Sequence, residues 1–387
     1  MFDNENLKPG WKRWRFEQMA TNINVRIENP SESGMEHYVG LEHLDADSLK
    51  IHRWGTPNEV EATKLMFKKG DIIFGRRRAY QRKLGVAEFD GICSAHAMVL
   101  RAKPDVVLPD FLPFFMQSDL FMKRAVEISV GSLSPTINWK TMAVQEFLLP
   151  PIDEQVRLVH LLQAIERTSD SHLKVVRAAD KLVRSLLSNV LNQEWPVVDL
   201  GSAVHETQYG LSINAGSEGQ YPMLRMMNIE DGLCVENDIK YVDLSDKDFE
   251  AYRLVHGDVL FNRTNSYELV GRTGVYELDG DHVFASYLVR IKTNIERLEP
   301  KFLTLYLNSD FGRRQVLAFA TKAVSQANVN ASNLLRVRLP LPPLDVQQQL
   351  LEEIAKAKLA EKAATVRRSC AEEMKKQLLA EIAKGTA

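Results

Sequence analysis

At 387 residues the chain is long enough for two domains of ordinary size, and 45% apolar with 26% charged residues excludes an intrinsically disordered protein. The formal net charge of −2 excludes a chain that coats DNA by general positive charge, so any nucleic-acid contact must be local or shared with a partner. Residues 1–150 hold 20 basic and 19 acidic side chains, and residues 195–340 hold 15 and 19.

The opening stretch MFDNENLKPGWKRWR has no apolar signal core. The richest apolar patch, Val106 to Met116, is broken by Asp110 and two prolines, so no membrane span is expected and a cytoplasmic location follows. At Gly70 begins GDIIFGRRRAYQRK: a Gly-Asp turn, an apolar β-rich run, then a polar tail. AHAMVLR from Ala95 predicts a further strand that includes His96. PDFLPFFMQSDLFMKR predicts a helix over residues 109–126, with proline near its start. SPTINWKTM and LLPPIDEQ follow. From Ile152 to Gln193 neither glycine nor proline occurs for 42 residues. Leu158, Leu162, Ile165, Ser169, His172, Val176, Ala179, Val183, Leu186 and Val190 then recur in steps of four and three, a coiled-coil seam with two polar members. A helix of that length spans ~63 Å.

The second half repeats the order. GDVLFNRTNSYELVGRTG begins at Gly257, SYLVRIK at Ser286, PKFLTLYLNSDFGRR at Pro300 (a second helix, to residue 320), ANVNASNLL at Ala327 and PLPPLDVQ at Pro340. The offset is 187 residues at the first motif, 191 in the middle and 192 at the Pro-Pro pair, which marks an internal duplication. Before the Gly-Asp motifs the halves align only through YVGL at Tyr38 and YPML at Tyr221. The second long helix, Leu344 to about Lys384, carries the stripe Leu351, Ala355, Leu359, Ala363, Val366, Cys370, Met374, Leu378 and Ile382. Asp153 and Asp345 fall in corresponding first turns, where negative charge suits the helix dipole.

The predicted fold class is α/β (α+β): two repeated mixed α/β globular domains, each followed by a long helix. One apolar seam needs a partner, so the two helices are expected to pair as an antiparallel coiled coil, with the globular halves at opposite ends about a pseudo-two-fold. The boundaries read 1–150 for the first domain, 151–194 for its helix, 195–340 for the second domain and 341–387 for the last helix.

No catalytic residue emerges. The chain lacks a GxxxxGK[ST] phosphate loop and a GxSxG elbow, and GRTG at Gly271 reads as a turn. LPPI and LPPL lack the amide or carboxylate and the aromatic of a base-methylating tetrapeptide. Cys93, Cys234 and Cys370 lie more than a hundred residues apart and the nine histidines are scattered, so neither disulfide nor metal site is expected.

The polar tails differ where the scaffold repeats. Arg76, Arg77, Arg78, Tyr80, Gln81, Arg82 and Lys83 in one copy, and Asn262, Arg263, Thr264, Asn265, Ser266 and Arg272 in the other, suit DNA binding. Cations clamp phosphates, arginine grips guanine through two hydrogen bonds, and glutamine or asparagine grips adenine. Asn138 and Asn330 are expected to cap or brace the approach to the next helix. An alternative is a two-headed coiled-coil protein-interaction scaffold without DNA binding.

Through GDIIFGR, GDVLFNRTNS, the segments GSLSPTINWKTMAVQEFLLPPIDEQ and AVSQANVNASNLLRVRLPLPPLDVQQQ, and the two long helices, the chain resembles the specificity subunit of type I DNA restriction-modification systems over nearly its whole length. The resemblance implies two target-recognition domains, each reading part of a bipartite double-stranded DNA target whose unread spacer is set by the helices. It implies methyltransferase subunits, two of them, docked on the helices and bringing S-adenosylmethionine. It also implies a motor-nuclease (restriction) subunit that brings ATP and Mg2+, with no cofactor bound by this chain directly.

Overall fold

The computed structural model describes residues 7–322 and 326–382. The first six residues of the amino-terminal stretch, residues 323–325 of AVSQAN, and the expected end of the last helix at residues 383–384 lie outside them.

Contacts divide the chain into two units: residues up to Val175 together with those from Ala363 onward, and Val176–Lys362. Each unit therefore takes one half of each long helix, Ile152–Leu191 and Leu344–Ile382. Both helices carry the expected aspartate in the first turn.

In the first unit the apolar runs of the sequence become a four-stranded sheet in which Met98–Ala102 lies between Ala20–Ile23 and Ile72–Phe74, with Leu84–Val86 outermost. A second four-stranded sheet joins Arg26–Ile27, Lys64–Phe67, Gly91–Ser94 and Tyr38–Val39. Phe16, Phe74, Phe111, Phe115 and Phe121 fill a core that also receives Leu158, Leu162, Leu379 and Ile382 from the helices. In the second unit Leu288–Thr293 lies between Val204–Tyr209 and Val259–Asn262, within a six-stranded sheet. Its core gathers Phe261, Val289, Phe302, Leu303 and Val316 with Leu187, Leu191, Leu350 and Ile354.

The duplication holds at the level of register. Ile72 faces Leu100 and Val86, and Val259 faces Ile291 and Val275. The equivalence breaks where the early strands enter. Tyr38 lies opposite Ile92, whereas Met223 lies opposite Val283, so Tyr38 corresponds to Met223 rather than to Tyr221. A two-residue slip keeps the same faces inward, which is why alternation alone could not set this register.

Three further expectations need correction. Each helix predicted after the sheet is two helices: Phe111–Gln117 and Asp119–Glu127, then Pro300–Asn308 and Asp310–Ala318. Ser118 and Ser309 break them by turning extended and capping the second helix, each hydroxyl accepting a backbone N–H at 3.3 Å. His96 lies in the turn between Gly91–Ser94 and Met98–Ala102 rather than in a strand, because Ser94 accepts the amides of His96 and Ala97.

The seam of the first long helix is buried or half-buried at every predicted position. The second helix turns a different face inward: Leu350, Ile354, Ala357, Ala364, Ala371, Leu379 and Ile382 are buried. Of the predicted stripe, Ala355, Leu359, Ala363, Val366, Cys370 and Met374 are exposed. Alanine at every seventh position lets backbones approach, and its low hydrophobicity hid this face behind the larger residues beside it. In the first unit Lys375 Nζ meets Glu166 at 2.8 Å and Ser169 Oγ meets Glu372 at 3.5 Å. Positions rise on one helix as they fall on the other, so the pairing is antiparallel, as expected.

Candidate nucleic-acid interface

Each polar tail is the connection of a β-hairpin mounted on the duplicated sheet. Residues 75–83 join Ile72–Phe74 to Leu84–Val86, and residues 263–272 join Val259–Asn262 to Thr273–Val275. The Gly-Asp pair sets where each hairpin starts. Gly70 (φ +88°) and Gly257 (φ +91°) adopt the left-handed turn conformation that favours glycine. Asp71, buried, accepts the Lys68 amide at 2.8 Å and a two-pronged bond from Arg101 at 2.7 and 2.9 Å. Asp258 accepts the Val255 amide at 3.0 Å, and burial raises its pKa despite Arg290 nearby. Both aspartates are spent on the scaffold.

The arginine of the shared Phe-x-Arg is also a scaffold residue. The Arg76 carbonyl accepts the Ile137 amide at 3.0 Å, and its guanidinium donates to the Ala95 carbonyl at 3.1 Å. In the other copy the Arg263 carbonyl accepts the Val329 amide at 2.9 Å, and its guanidinium donates to Ser286 O and Asn328 Oδ1 while lying over the Tyr209 ring at 4.7 Å. Both residues tie the hairpin to the segment preceding the long helix. This explains why SPTIN and ANVN recur with the hairpin.

Beyond this clamp the first loop splits into outward and inward members. Arg77 pairs with Thr136 through backbone and brings a guanidinium nitrogen to 3.2 Å from His96 Nε2. Desolvation, then the Arg77, Arg76 and Lys64 charges, hold His96 below its usual pKa, so the neutral ring accepts from Arg77. Arg78 (φ +59°) donates its amide to Pro135 O at 2.8 Å and leaves its exposed guanidinium beside Ser134 Oγ at 3.2 Å. Tyr80 is 53% exposed, and the Gln81 side-chain amide makes no hydrogen bond among the described residues. Arg82 and Lys83 point inward. Arg82 is consumed by Asp47 (2.6 Å), Asp119 (3.0 Å) and Gln117 O (2.6 Å), and Lys83 by Leu41 O (2.7 Å).

The second loop is built differently. Asn262 is fully buried, its backbone bonding Arg272 O and Gly271 N to close the loop and its Nδ2 facing Met226 O at 3.4 Å. Gly271 (φ +86°) makes the expected turn. Thr264–Asn265 form a short strand against Ala327–Asn328, with Asn328 Nδ2 donating to Thr264 Oγ1 at 2.7 Å. Asn265 Oδ1 accepts the Ser266 amide at 2.8 Å. Arg272 is exposed, and its guanidinium makes no hydrogen bond among the described residues. Tyr209, Met227, Tyr267 and Tyr287 add exposed rings and a thioether to the same unit. Sequence reasoning overlooked them: Tyr267 and Tyr287 stood within the quoted motifs NSYELVGR and SYLVRIK but were passed over for the polar residues, while Tyr209 and Met227 lie outside the repeated motifs.

Two residues of the pre-helix motifs gain roles that their spacing did not announce. Gln155, buried, donates to Pro150 O and Val106 O at 3.0 and 3.2 Å and accepts the Leu108 amide at 2.9 Å. Gln347 repeats this with Pro342 O, Arg297 O and the Glu299 amide at 2.8, 2.8 and 3.0 Å. Each locks a long helix to its domain. Asn330 caps its short helix through Asn333, as expected, whereas Asn138 occupies the same cap position without a side-chain bond.

Among the described residues no three His, Cys, Asp or Glu side chains converge on a metal position, and no helix is long and apolar enough to cross a membrane. Cys93 and Cys234 are buried and unpaired, and burial raises both thiol pKa values, that of Cys234 to about 12; Cys370 is exposed. What each unit presents is a rigid hairpin carrying cations, amides and hydroxyls, chemistry suited to phosphates and base edges.

One protein family, the type I restriction modification DNA specificity domain, matches this chain twice, over residues 28–175 and 194–356. The chain is similar to the putative type I restriction enzyme MjaX specificity subunit of Methanocaldococcus jannaschii, 30% identical over 162 residues that cover 41% of this chain and 38% of that protein. The type I restriction enzyme EcoKI specificity subunit of Escherichia coli K12 is 21% identical over 343 residues, 80% of this chain and 74% of that protein. In fold it is similar to the S subunit of a type I restriction-modification system from M. genitalium, with a TM-score of 0.61, 12% identity, and 99% and 98% of the two chains covered.

Proposed function

The chain belongs to the type I restriction modification DNA specificity family, and from that premise we propose that it is the subunit of such a complex that reads a bipartite DNA target. One observation carries the reading: the same hairpin is mounted at the same register on two copies of one sheet, with different polar side chains on each. Matching scaffolds suit matching duplex, and differing side chains suit different half-sites.

In this reading residues 1–150 and 195–340 are the recognition domains, while 151–194 and 341–387 fix the spacing and dock two methyltransferase subunits. The outward set Arg77, Arg78, Tyr80 and Gln81, and Thr264, Asn265, Ser266 and Arg272, meet the DNA. Arg76, Arg82, Lys83, Asn262 and Arg263 hold these loops in shape. The chain itself is non-catalytic and cytoplasmic. S-adenosylmethionine enters with the methyltransferase, and ATP and Mg2+ with a motor-nuclease subunit. The near-neutral charge supports this division, since partner subunits then carry much of the grip on the DNA backbone.

The test is to purify the tagged chain from its native cells, identify what comes with it, and map methylated bases genome-wide with and without the chain. A stoichiometric DNA methyltransferase, and loss of one bipartite methylated motif on deletion, are expected. An unchanged methylation map would overturn the reading and favour the protein-interaction scaffold.

A further inference from the structure

Beside the first loop stands a second, smaller hairpin. Val130 and Thr136 exchange both backbone bonds, at 3.1 and 3.0 Å, and residues 131–135 form the tip between them. The tip is stiffened from within: Gly131 takes a left-handed conformation (φ +116°), Thr136 Oγ1 donates to Ser134 O at 3.1 Å, and Pro135 fixes its own φ. It is also fastened to the recognition loop. Arg78 gives its amide to Pro135 O and its guanidinium to Ser134 Oγ, Arg77 pairs with Thr136, and Ile137 bonds the Arg76 carbonyl. At this anchored tip Leu133 is 90% exposed, with Val130 at 73%.

A single exposed leucine is ordinary on a protein surface. Here the exposed side chain sits on a braced tip held directly beside Arg77 and Arg78, whose guanidinium groups meet only the neutral partners His96 and Ser134 among the described residues. Flanking cations that clamp phosphates bring such a tip to a groove, where an apolar group has two uses: contact with a thymine methyl, or a wedge against a base step. We infer that Leu133 is a specificity-determining residue that makes apolar contact with the bases of the first half-site. The inference rests on the DNA-reading function proposed above and deepens it, adding an aliphatic element beside a loop that offers cations, an amide and the Tyr80 ring.

The experiment uses the complex of the full chain with its methyltransferase subunits. Wild type, Leu133→Ser and Leu133→Met are each titrated, across a salt series, with a duplex bearing the sequence the complex methylates and with a scrambled duplex. Leu133→Ser should bind the methylated-sequence duplex about tenfold more weakly, which is ~1.4 kcal/mol. Its affinity for the scrambled duplex and its salt slope should not change, because no phosphate contact is lost. Leu133→Met, still apolar, should stay near wild type, and thermal unfolding of all three should coincide since the side chain is outside the core. Equal weakening on both duplexes, or no weakening on either, overturns the inference while leaving the DNA-reading function intact. A wild-type complex that does not distinguish the duplexes sinks that function, and this inference with it.

Discussion

Within a single run of five cations, neighbouring arginines do opposite jobs. The Arg78 guanidinium is exposed against one serine hydroxyl, whereas Arg82 satisfies two aspartates and a carbonyl. Removing each should separate the roles. Arg78→Ala is expected to leave the unfolding midpoint unchanged and to weaken DNA binding by the complex on all sequences, lowering its salt slope by about 1. Arg82→Ala should instead cost about 1–2 kcal/mol of stability, because Asp47, Asp119 and Gln117 O lose their donor. Salt-dependent titration and denaturant unfolding of both variants check this; an Arg78→Ala variant with the stability loss and no binding loss would reverse the assignment. The sequence showed that cations cluster here. It could not show which were spoken for, since Asp47 and Asp119 lie 35 and 37 positions from Arg82.

Among the elements, the long helices show how a periodic pattern can be present and still point to the wrong face. The first helix carries leucine and valine on its seam, and the pattern read true. On the second, alanines 357, 364 and 371 face inward while Leu359 (71% exposed) and Val366 (56%) face out. Ile354→Ala should therefore cost ~2–4 kcal/mol through lost burial and cavity formation. Val366→Ser should stay within about 0.5 kcal/mol. The pair is measured by urea unfolding of the isolated chain, and a larger loss at Val366 than at Ile354 would contradict the buried face described. The paired glutamines, Gln155 and Gln347, act at the same scale: each satisfies two carbonyls and one amide at a helix start that would otherwise bury them unpaired. Their repetition in LPPIDEQ and LPPLDVQ was legible. Their role was not, because two of the three groups that each binds lie about fifty residues upstream.

For the molecule as a whole, the consequence of two copies is modularity. Each unit has its own sheets, its own aromatic core and its own hairpin with a polar loop. Exchanging residues 1–150 with those of a related chain that reads a different target should change one half of the methylated motif and leave the other half and the spacer length as they were. Methylation mapping reads the result directly, and a change in both half-sites would mean that the halves do not read independently. The near-neutral charge sets a second expectation within the same assembly, that specificity resides in this chain while much of the affinity resides in its partners.

The sequence by itself determined the duplication, the strands after each Gly-Asp pair, the existence and antiparallel pairing of the long helices, and the family. These rest on local signals: turn residues with fixed backbone needs, a period of two or of three to four, and motif order. Tertiary structure alone decided the rest: the serine breaks in the two helical segments, the inward face of the second long helix, the two-residue offset at Tyr38, and the division of loop residues into those that hold and those that reach. Each of these depends on a partner distant in sequence. A side chain's chemistry is written in the chain, but whether its hydrogen bonds are already taken is settled only when the chain has folded.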